Sequence, residues 1–263
     1  MSHIPARKAM IPMMKNNRSA NQNRYSILAA GFFFSVLASL LCFGLLRQQE
    51  QRNIHRLQAL YSERTENLMN RMFHKTDILA AAVKLKNGNI TEETFQMIAQ
   101  LVYEKNSGIR GIQYMPGAVV TYSYPVEGNE EVIGKNFLKI PERRNDVLLA
   151  INTKSMVLSG PYHLIQGGLG VVARNPVFLT GSSGEDYFWG FSAIVLNLPD
   201  ALSSAGLNQL PEEGYDFQLF CDNENGERLV ISGNPALSCT RAVCGAIQVP
   251  RHTWTLAITS LYS

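Results

Sequence analysis

The side chains that could carry out catalysis or bind a metal are dispersed along this sequence. The five histidines lie far apart and form no H-E-x-x-H or other paired-ligand spacing. The GSSGE segment around Ser182 lacks the G-x-S-x-G elbow of a serine nucleophile. The QGGLG segment at residues 166–170 has no P-loop lysine or dinucleotide-binding spacing, so it predicts a tight turn. We therefore expect no enzyme activity, no metal and no cofactor in this chain.

Two other groups of reactive side chains leave alternatives open. The acidic residues within 127–131 could form an acid/base pair or a cation site, although solvated loop carboxylates explain them better. Cys221 and Cys239 could form a disulfide that closes a hairpin region, or Cys239 and Cys244 could close a short loop. Unpaired core cysteines are the third interpretation. Because three cysteines follow residue 46, at most one internal disulfide can form among them.

The positive charge of the chain is concentrated at its N-terminus. Residues 1–24 contain five basic and no acidic residues, whereas the remainder has 19 basic and 21 acidic residues. A slightly acidic main body argues against a nucleic-acid partner, which would require a concentrated basic face. A short basic segment beside an apolar one is instead typical of a membrane topology signal.

An uncharged run at residues 25–46 predicts a transmembrane helix. Its 22 residues would extend about 33 Å as a helix, and a bilayer hydrocarbon core is about 30 Å thick. A cleaved signal peptide has a shorter apolar region and a small-residue cleavage site, which is not evident here. The positive-inside rule then predicts a cytoplasmic stub at residues 1–24 and an extracytoplasmic remainder.

A long helix is predicted at residues 47–88, because this segment lacks proline and ends at Asn87-Gly88. Basic residues interrupt its apolar stripe, so a continuous heptad zipper is not established. The helix could be a stalk that pairs with a second protomer, or it could pack on its own domain, and the two interpretations are compatible. The stripe consists of Ile54, Leu57, Tyr61, Leu68, Met72, Leu79 and Ala82.

The remaining sequence predicts two α+β units, the first larger than the second. Helices are expected at 91–103, with Thr91 as N-cap, at 141–153, and shortly after Pro199. Segments rich in aromatic and β-branched residues, separated by Gly, Pro and Asn, predict the strands. In the first unit these strands are 108–115, 118–126, 156–160, 170–179 and 187–196.

The second unit, residues 211–263, is predicted to be rich in β structure. Alternation in YDFQLFC places Phe217, Leu219 and Cys221 on one face of a strand. Asn225-Gly226 predicts a hairpin turn before RLVIS, and a type I′ turn would place Cys221 opposite Val230. TWTLAIT is the last predicted strand.

The segment from 118 to 196 resembles the CHASE family of extracellular sensor domains of histidine kinases and nucleotide cyclases. The resemblance lies in VVTYSYPVEGNEEVIGKNFL, in PERRNDVLLAINTKSMVLSGPYHLIQGGLGVVARNPVFL and in FWGFSAIVLNL. One departure is Asn136, where bacterial members commonly have Asp. The resemblance implies an α+β fold with a long stalk helix and two PAS-like units, typically in a dimer.

The resemblance also implies where a ligand would bind. Family members hold a small ligand in the membrane-distal unit, which here would be residues 89–210. The strand containing MVLSGPY and the preceding helix would line this pocket. Ser159 falls where a pocket hydroxyl is expected and Leu148 where an apolar wall residue is expected, although simple structural roles explain both equally well.

Four aromatic residues are added to this predicted site from the sequence pattern alone. Aromatic walls with a few polar groups suit a small planar ligand, although most aromatic residues in strands belong to a core. These residues are Tyr122, Tyr124, Phe178 and Trp189.

The sequence thus predicts an extracytoplasmic sensor that is anchored in the inner membrane by one helix. It would bind a small molecule, form a homodimer through its stalk and serve as the input part of a histidine kinase or diguanylate cyclase. Family members usually continue into a second membrane helix and an output domain, and we expect neither in this chain. The alternative is an interaction or dimerisation module that senses no ligand.

Overall fold

The computed structural model describes residues 17–105, 107–223 and 226–262, except for the side chains of 17–23 and 199. Most of the predicted basic stub, and Asn225 of the predicted hairpin turn, lie outside the described residues. The chain forms two compact units, divided between Arg52 and Asn53.

The described residues of the unit before Asn53 belong to the long helix α1 (Asn17–Leu85). The described side chains from residue 24 to residue 49 are all exposed, including those of the predicted membrane span. By length and composition, this part of the helix could cross a membrane.

The second part of α1 packs on its own unit. The stripe residues Ile54, Tyr61, Leu68, Met72 and Leu79 are all buried in the main core of the unit that begins at Asn53. The stripe therefore covers the chain's own sheets, as in the second interpretation of the predicted stalk.

The predicted end of α1 is confirmed by its backbone conformation. Asn87 and Gly88 both have positive φ values, 46° and 78°, which is a left-handed conformation. Gly88 also lies against Trp189, whose ring would be 2.8 Å from a Cβ atom at this position. A larger residue would therefore be strained and would collide with the ring.

Five antiparallel strands form the first sheet, in the order β2-β1-β5-β4-β3. Two predicted helices flank it: α2, capped by the Thr91 hydroxyl, and α3, which begins at Pro141 and has the predicted bounds. The elements are α2 (Glu92–Val102), β1 (Ile109–Pro116), β2 (Tyr122–Tyr124), α3 (Pro141–Thr153), β3 (Val157–His163), β4 (Leu169–Thr180), β5 (Asp186–Asn197) and α4 (Leu198–Ser203).

The two faces of the first sheet bury different cores. Ile112 and Tyr114 of β1 face the core that contains α1 and α2. Met115 of the same strand faces the other core, which contains Val147 and Ala150 of α3. We call these the α1 face and the α3 face of the sheet.

The second sheet has four antiparallel strands in the order β7-β6-β9-β8. Phe217, Leu219 and Cys221 of β6 lie in the main core, which confirms the predicted common face. The sequence reading missed β8. The strands are β6 (Tyr215–Asp222), β7 (Arg228–Gly233), β8 (Val243–Val249) and β9 (His252–Ser260).

The predicted hairpin register between β6 and β7 is wrong by one residue. Cys221 pairs with Leu229, whereas Val230 pairs with Phe220. Pairing continues to Asp222 and Arg228, so the connection is longer than the two residues of a type I′ turn. A disulfide joins Cys239 to Cys244, and Cys221 is a free, buried thiol.

Candidate functional site

A small cavity lies on the α3 face of the first sheet and is partly open to solvent. Its volume is about 20 Å³, which is room for about one water molecule. The surrounding residues come from β1, β3, β4, β5, α3 and the loops between these elements. They are Gln113, Val132, Phe137, Arg143, Tyr162, Leu164, Ile165, Gln166, Val172, Arg174 and Val195, and we call the space they surround the α3-face cavity.

Arg174 of β4 is the most unusual residue of this cavity. It is 1% exposed, and Val172 and Pro176, which lie two positions before and after it in the strand, are buried too. Both terminal nitrogens lie 3.4 Å from the Tyr162 hydroxyl oxygen, and the guanidinium carbon lies 4.8 Å from the centre of the Phe137 ring. Its Nε has no hydrogen-bond partner among the described residues.

A second guanidinium group, that of Arg143 in α3, reaches the same cavity. Its central carbon lies 3.2 Å from the centre of the Tyr162 ring, and it donates a hydrogen bond to the His163 carbonyl at 3.1 Å. Burial lowers the pKa of Arg143, and the charge of Arg174 lowers it further. Tyr162 and the nearby acidic residues of α3 act in the opposite direction on this pKa.

Two buried serine hydroxyls add further polar groups to the α3 face of the sheet. Ser159 pairs with Val172 across β3 and β4, and Ser123 pairs with Gln113 across β2 and β1. Neither hydroxyl oxygen has a hydrogen-bond partner among the described residues, although both serines are at most 1% exposed. A buried polar atom without a partner costs about 1–3 kcal/mol, so such atoms indicate a place where a ligand or water could supply the partner.

The loop after β3 forms one wall of the cavity and is the predicted tight turn. The Gly167 NH donates to the Leu164 carbonyl at 3.0 Å, and both glycines of the turn have positive φ. The Gln166 carbonyl accepts a hydrogen bond from Arg110, and the Gln166 side chain donates to Asn129. These bonds hold the loop against the first sheet.

The predicted site residues Ser159, Leu148 and Phe178 lie on or beside the α3 face. Ser159 is fully buried next to a cavity residue but does not itself line the cavity. Leu148 of α3 is half-buried and also lies outside the lining. Phe178 is half-buried between Phe188 and the Lys154 ammonium group.

The other predicted aromatics, Tyr122, Tyr124 and Trp189, lie on the α1 face. Tyr122 stacks on Phe95 of α2 and its hydroxyl donates to the Ile90 carbonyl. Trp189 donates from its indole nitrogen to the Gly88 carbonyl at 3.2 Å. Because the sheet separates its two faces, these aromatics do not share one site with Ser159. The ligand-binding roles of all the predicted site residues stay predictions.

The sequence reading did not assign Arg174, Arg143 or Gln113 to the site. One signal for Arg174 was available, since it is the only charged residue in the strand segment GVVARNPVFL. An arginine inside a buried strand requires partners for its charge and its donors. Arg143 had no such signal, because a basic residue near the start of a helix is usually solvated.

A second concave surface lies beside α3 and is lined mainly by Pro141, Tyr162, Cys221, His252 and Trp254. Its volume of about 420 Å³ exceeds that of the α3-face cavity, but it is an open groove. Burial raises the pKa of the Cys221 thiol to about 11, so this thiol stays protonated at neutral pH. The described residues contain no cluster of His, Cys, Asp or Glu that could hold a metal ion.

The fold is α+β, with a long N-terminal helix followed by two antiparallel sheets. The family model of the CHASE domain matches residues 116–231, which confirms the resemblance and extends it into β7. This match covers 116 of the 263 residues. This match contains every residue that lines the α3-face cavity except Gln113. No curated protein matches the sequence.

Several solved structures match this chain. An extracellular ligand-binding receptor from Desulfohalobium retbaense has a TM-score of 0.61 and 15% identity, over 78% of this chain and 40% of that one. This chain thus spans less than half of that receptor. Two structures of the Vibrio cholerae LuxQ periplasmic domain have TM-scores of 0.38 and 0.37, with 12% and 11% identity. They cover 79% of this chain and 98% and 99% of their own chains.

Proposed function

We propose that this protein is a membrane-anchored sensor that binds a small molecule in the α3-face cavity. The observation that supports this proposal is the group of buried polar atoms without partners on that face. Among the described residues, Arg174 Nε and the hydroxyls of Ser159 and Ser123 lie there without partners, and all three residues are inside the CHASE match. A domain evolved only for stability would gain by replacing such groups.

The membrane anchor in this proposal is residues 25–46. Their side chains are uncharged, mostly apolar and exposed, and five basic residues precede this span. We propose that the N-terminus is cytoplasmic and the CHASE domain extracytoplasmic. The chain would supply signal input without catalysis of its own, and a kinase or cyclase domain would supply the output.

A ligand signal would pass from the first sheet to α1 through direct hydrogen bonds. Ser192 of β5 donates to the Thr76 carbonyl at 2.9 Å, and Asn175 of β4 donates to the Asp77 carboxylate at 2.7 Å. Arg174 immediately precedes Asn175 in β4, and its side chain lies on the opposite face of the sheet, at the cavity. A shift of β4 on binding would therefore act on α1.

We also propose that the sensor is a homodimer, as predicted for the stalk. The buried stripe of α1 is not free for this contact. Beyond the predicted membrane span, the large apolar residues of α1 that are exposed are Leu60, Ile78 and Leu85, at 41%, 56% and 87%. These positions are available for the contact. Cross-linking of cysteines placed at these positions in membranes would test this arrangement, and an absence of cross-linked dimer would count against it.

Thermal unfolding of the full chain in nanodiscs, with a broad metabolite library, tests ligand binding. A ligand at about 100 times its Kd should raise the free energy of unfolding by about 2.7 kcal/mol. Ile165→Trp, which places a larger side chain at the cavity wall, should abolish the shift. Ile133→Trp is the matched control, because Ile133 is similarly exposed and lies outside the cavity lining.

A second candidate function, an interaction module without a ligand, is favoured by the small size of the cavity. In that case no library compound would shift the unfolding of the wild-type chain, and a membrane partner would co-purify with it. A ligand shift that Ile165→Trp abolishes and Ile133→Trp preserves would exclude this candidate.

A further inference from the structure

The charge of Arg174 has no counter-ion in the part of the chain that the structure describes. The ion pairs found there join His74 to Asp77, Lys75 to Glu104 and Lys154 to Asp186. All three involve at least one well-exposed side chain, whereas Arg174 is 1% exposed. An arginine stays protonated in proteins, so Arg174 is a buried and unpaired cation.

The polar contacts that Arg174 does make are weak substitutes for an anion. The Tyr162 hydroxyl is shared by both terminal nitrogens at 3.4 Å, near the upper limit for a hydrogen bond. The Phe137 ring provides a cation–π contact, which is also weaker than a carboxylate. Arg143 adds a second positive charge to the same cavity. Glu142 and Asp146 of α3 also act on Arg143, but neither lines the cavity. The lining therefore contains two positive charges and no acidic side chain.

The other walls of the cavity restrict the size and character of an anion. Val132, Val172, Val195 and Leu164 form apolar walls, and Gln113 adds one buried amide. A carboxylate with a short aliphatic chain matches the donors and the apolar walls, since its head accepts two parallel hydrogen bonds from a guanidinium. Because the cavity has room for only about one water molecule, its wall must open to admit such a ligand. A larger or multiply charged anion would leave oxygen atoms without donors beside the valines. Ile165, at 37% exposed, is the wall residue with most freedom to move aside.

We propose that the ligand of the α3-face cavity is a small aliphatic monocarboxylate, bound through Arg174 with Arg143 as the second cation. This inference rests on the proposed sensing function and adds the chemical class of the ligand. Arg174 is then unpaired because its partner is the ligand. The Tyr162 hydroxyl holds the guanidinium in place for that contact.

The test uses the full chain in nanodiscs at constant ionic strength, with acetate, propionate and butyrate as probes. Each is compared with its amide and with the alkylamine of the same length, in thermal unfolding and calorimetry. We expect at least one carboxylate to bind, and its amide to bind at least tenfold more weakly. Arg174→Gln and Arg143→Gln should each weaken carboxylate binding by tenfold or more, and Arg174→Lys should weaken it less than Arg174→Gln.

Arg228→Gln is the matched control for these variants. Arg228 also lies over a phenylalanine ring, at 3.7 Å, and also contacts one neutral side-chain oxygen, at 3.3 Å. It is exposed and belongs to the second sheet, so its substitution should leave carboxylate binding unchanged. If Arg174→Gln fails to fold, the half-buried Arg143→Gln still tests the charge requirement.

The outcomes separate this inference from the proposed function. Equal binding of an amide and its carboxylate, or unchanged binding in a folded Arg174→Gln or Arg143→Gln chain, would overturn the carboxylate assignment. A neutral or cationic library compound that occupies the cavity would also overturn the carboxylate assignment. The proposed sensing function would then still be supported. Chloride or nitrate binding as tightly as the best carboxylate would show an unselective anion site and overturn the assignment as well. If no compound binds, both the carboxylate assignment and the proposed sensing function are wrong.

Discussion

The buried polar groups on the two faces of the first sheet differ in their hydrogen bonding. On the α1 face, the Tyr114 hydroxyl, the Ser192 hydroxyl and the Trp189 indole each donate to a main-chain carbonyl of α1 or of the turn that follows it. On the α3 face, the Ser159 hydroxyl and Arg174 Nε have no partner among the described residues. Among the described residues, these three groups of the α1 face are all bonded, whereas the α3 face retains unused hydrogen-bonding capacity.

This difference separates the structural role of the sheet from its proposed binding role. Satisfied polar groups fix the sheet on α1, so that a movement of β4 or β5 reaches the helix. Unsatisfied groups cost stability in the unbound chain, and a ligand that pairs with them would recover that cost. The comparison predicts that mutations on the α1 face reduce stability and that selected mutations on the α3 face increase it.

The largest expected effect is on the α1 face at Phe95. This fully buried residue lies between Tyr114 and Tyr122, with ring centres 5.0 and 5.5 Å away. Phe95→Ala would leave a cavity and should lower the free energy of unfolding by about 3–5 kcal/mol. Chemical denaturation of the full chain measures this loss. A loss below about 1 kcal/mol would show that the α1 face is loosely packed.

The next effect, of opposite sign, is at Arg174 on the α3 face. Arg174→Met keeps much of the side-chain volume and removes the buried charge, so it should raise the free energy of unfolding by about 1–3 kcal/mol while abolishing ligand binding. The same denaturation experiment without ligand measures the gain. Arg228→Met, at an exposed site, should change stability by less than about 0.5 kcal/mol. If Arg174→Met destabilises the chain instead, Arg174 has a structural role and the comparison fails.

The smallest effect comes from a matched pair of serines in the same sheet. Ser192 and Ser159 are both fully buried, and only Ser192 donates a hydrogen bond. Ser192→Ala should cost about 1 kcal/mol, whereas Ser159→Ala should be neutral or stabilising by a few tenths of a kcal/mol. Equal losses for the two variants would mean that the Ser159 hydroxyl has a partner in solution, and would erase the difference between the faces.

Local signals in the sequence predicted the helices well. Thr91 caps α2, Pro141 begins α3 and Asn87-Gly88 ends α1, because each signal depends on a few neighbouring residues. Strand ends were less predictable. The segment 118–126 suggested one long strand, but β2 covers only Tyr122–Tyr124, because the chain turns at Ala118 with a φ of 67°. β8 was missed because its sequence, VCGAIQV, hardly alternates between apolar and polar residues, although its burial alternates along the whole strand.

The candidate site was harder to predict, because its geometry depends on which face each strand residue occupies. An irregularity in register between Val177 and Phe178 changes the alternation near the end of β4. The aromatic pattern could not show that Trp189 and Phe188 face opposite cores. Arg174 is the residue that a sequence reading could have found, by asking what partners a buried arginine in β4 would have.

The most direct test of the proposed binding site is a structure of the full chain with the carboxylate that binds best. We predict density for the ligand inside the α3-face cavity, with its carboxylate within about 3 Å of Arg174 and near Arg143. The Tyr162 hydroxyl should remain in contact with Arg174, and Ile165 should move aside. A ligand bound in the groove beside Cys221 and His252, with Arg174 still unpaired, would contradict the assignment.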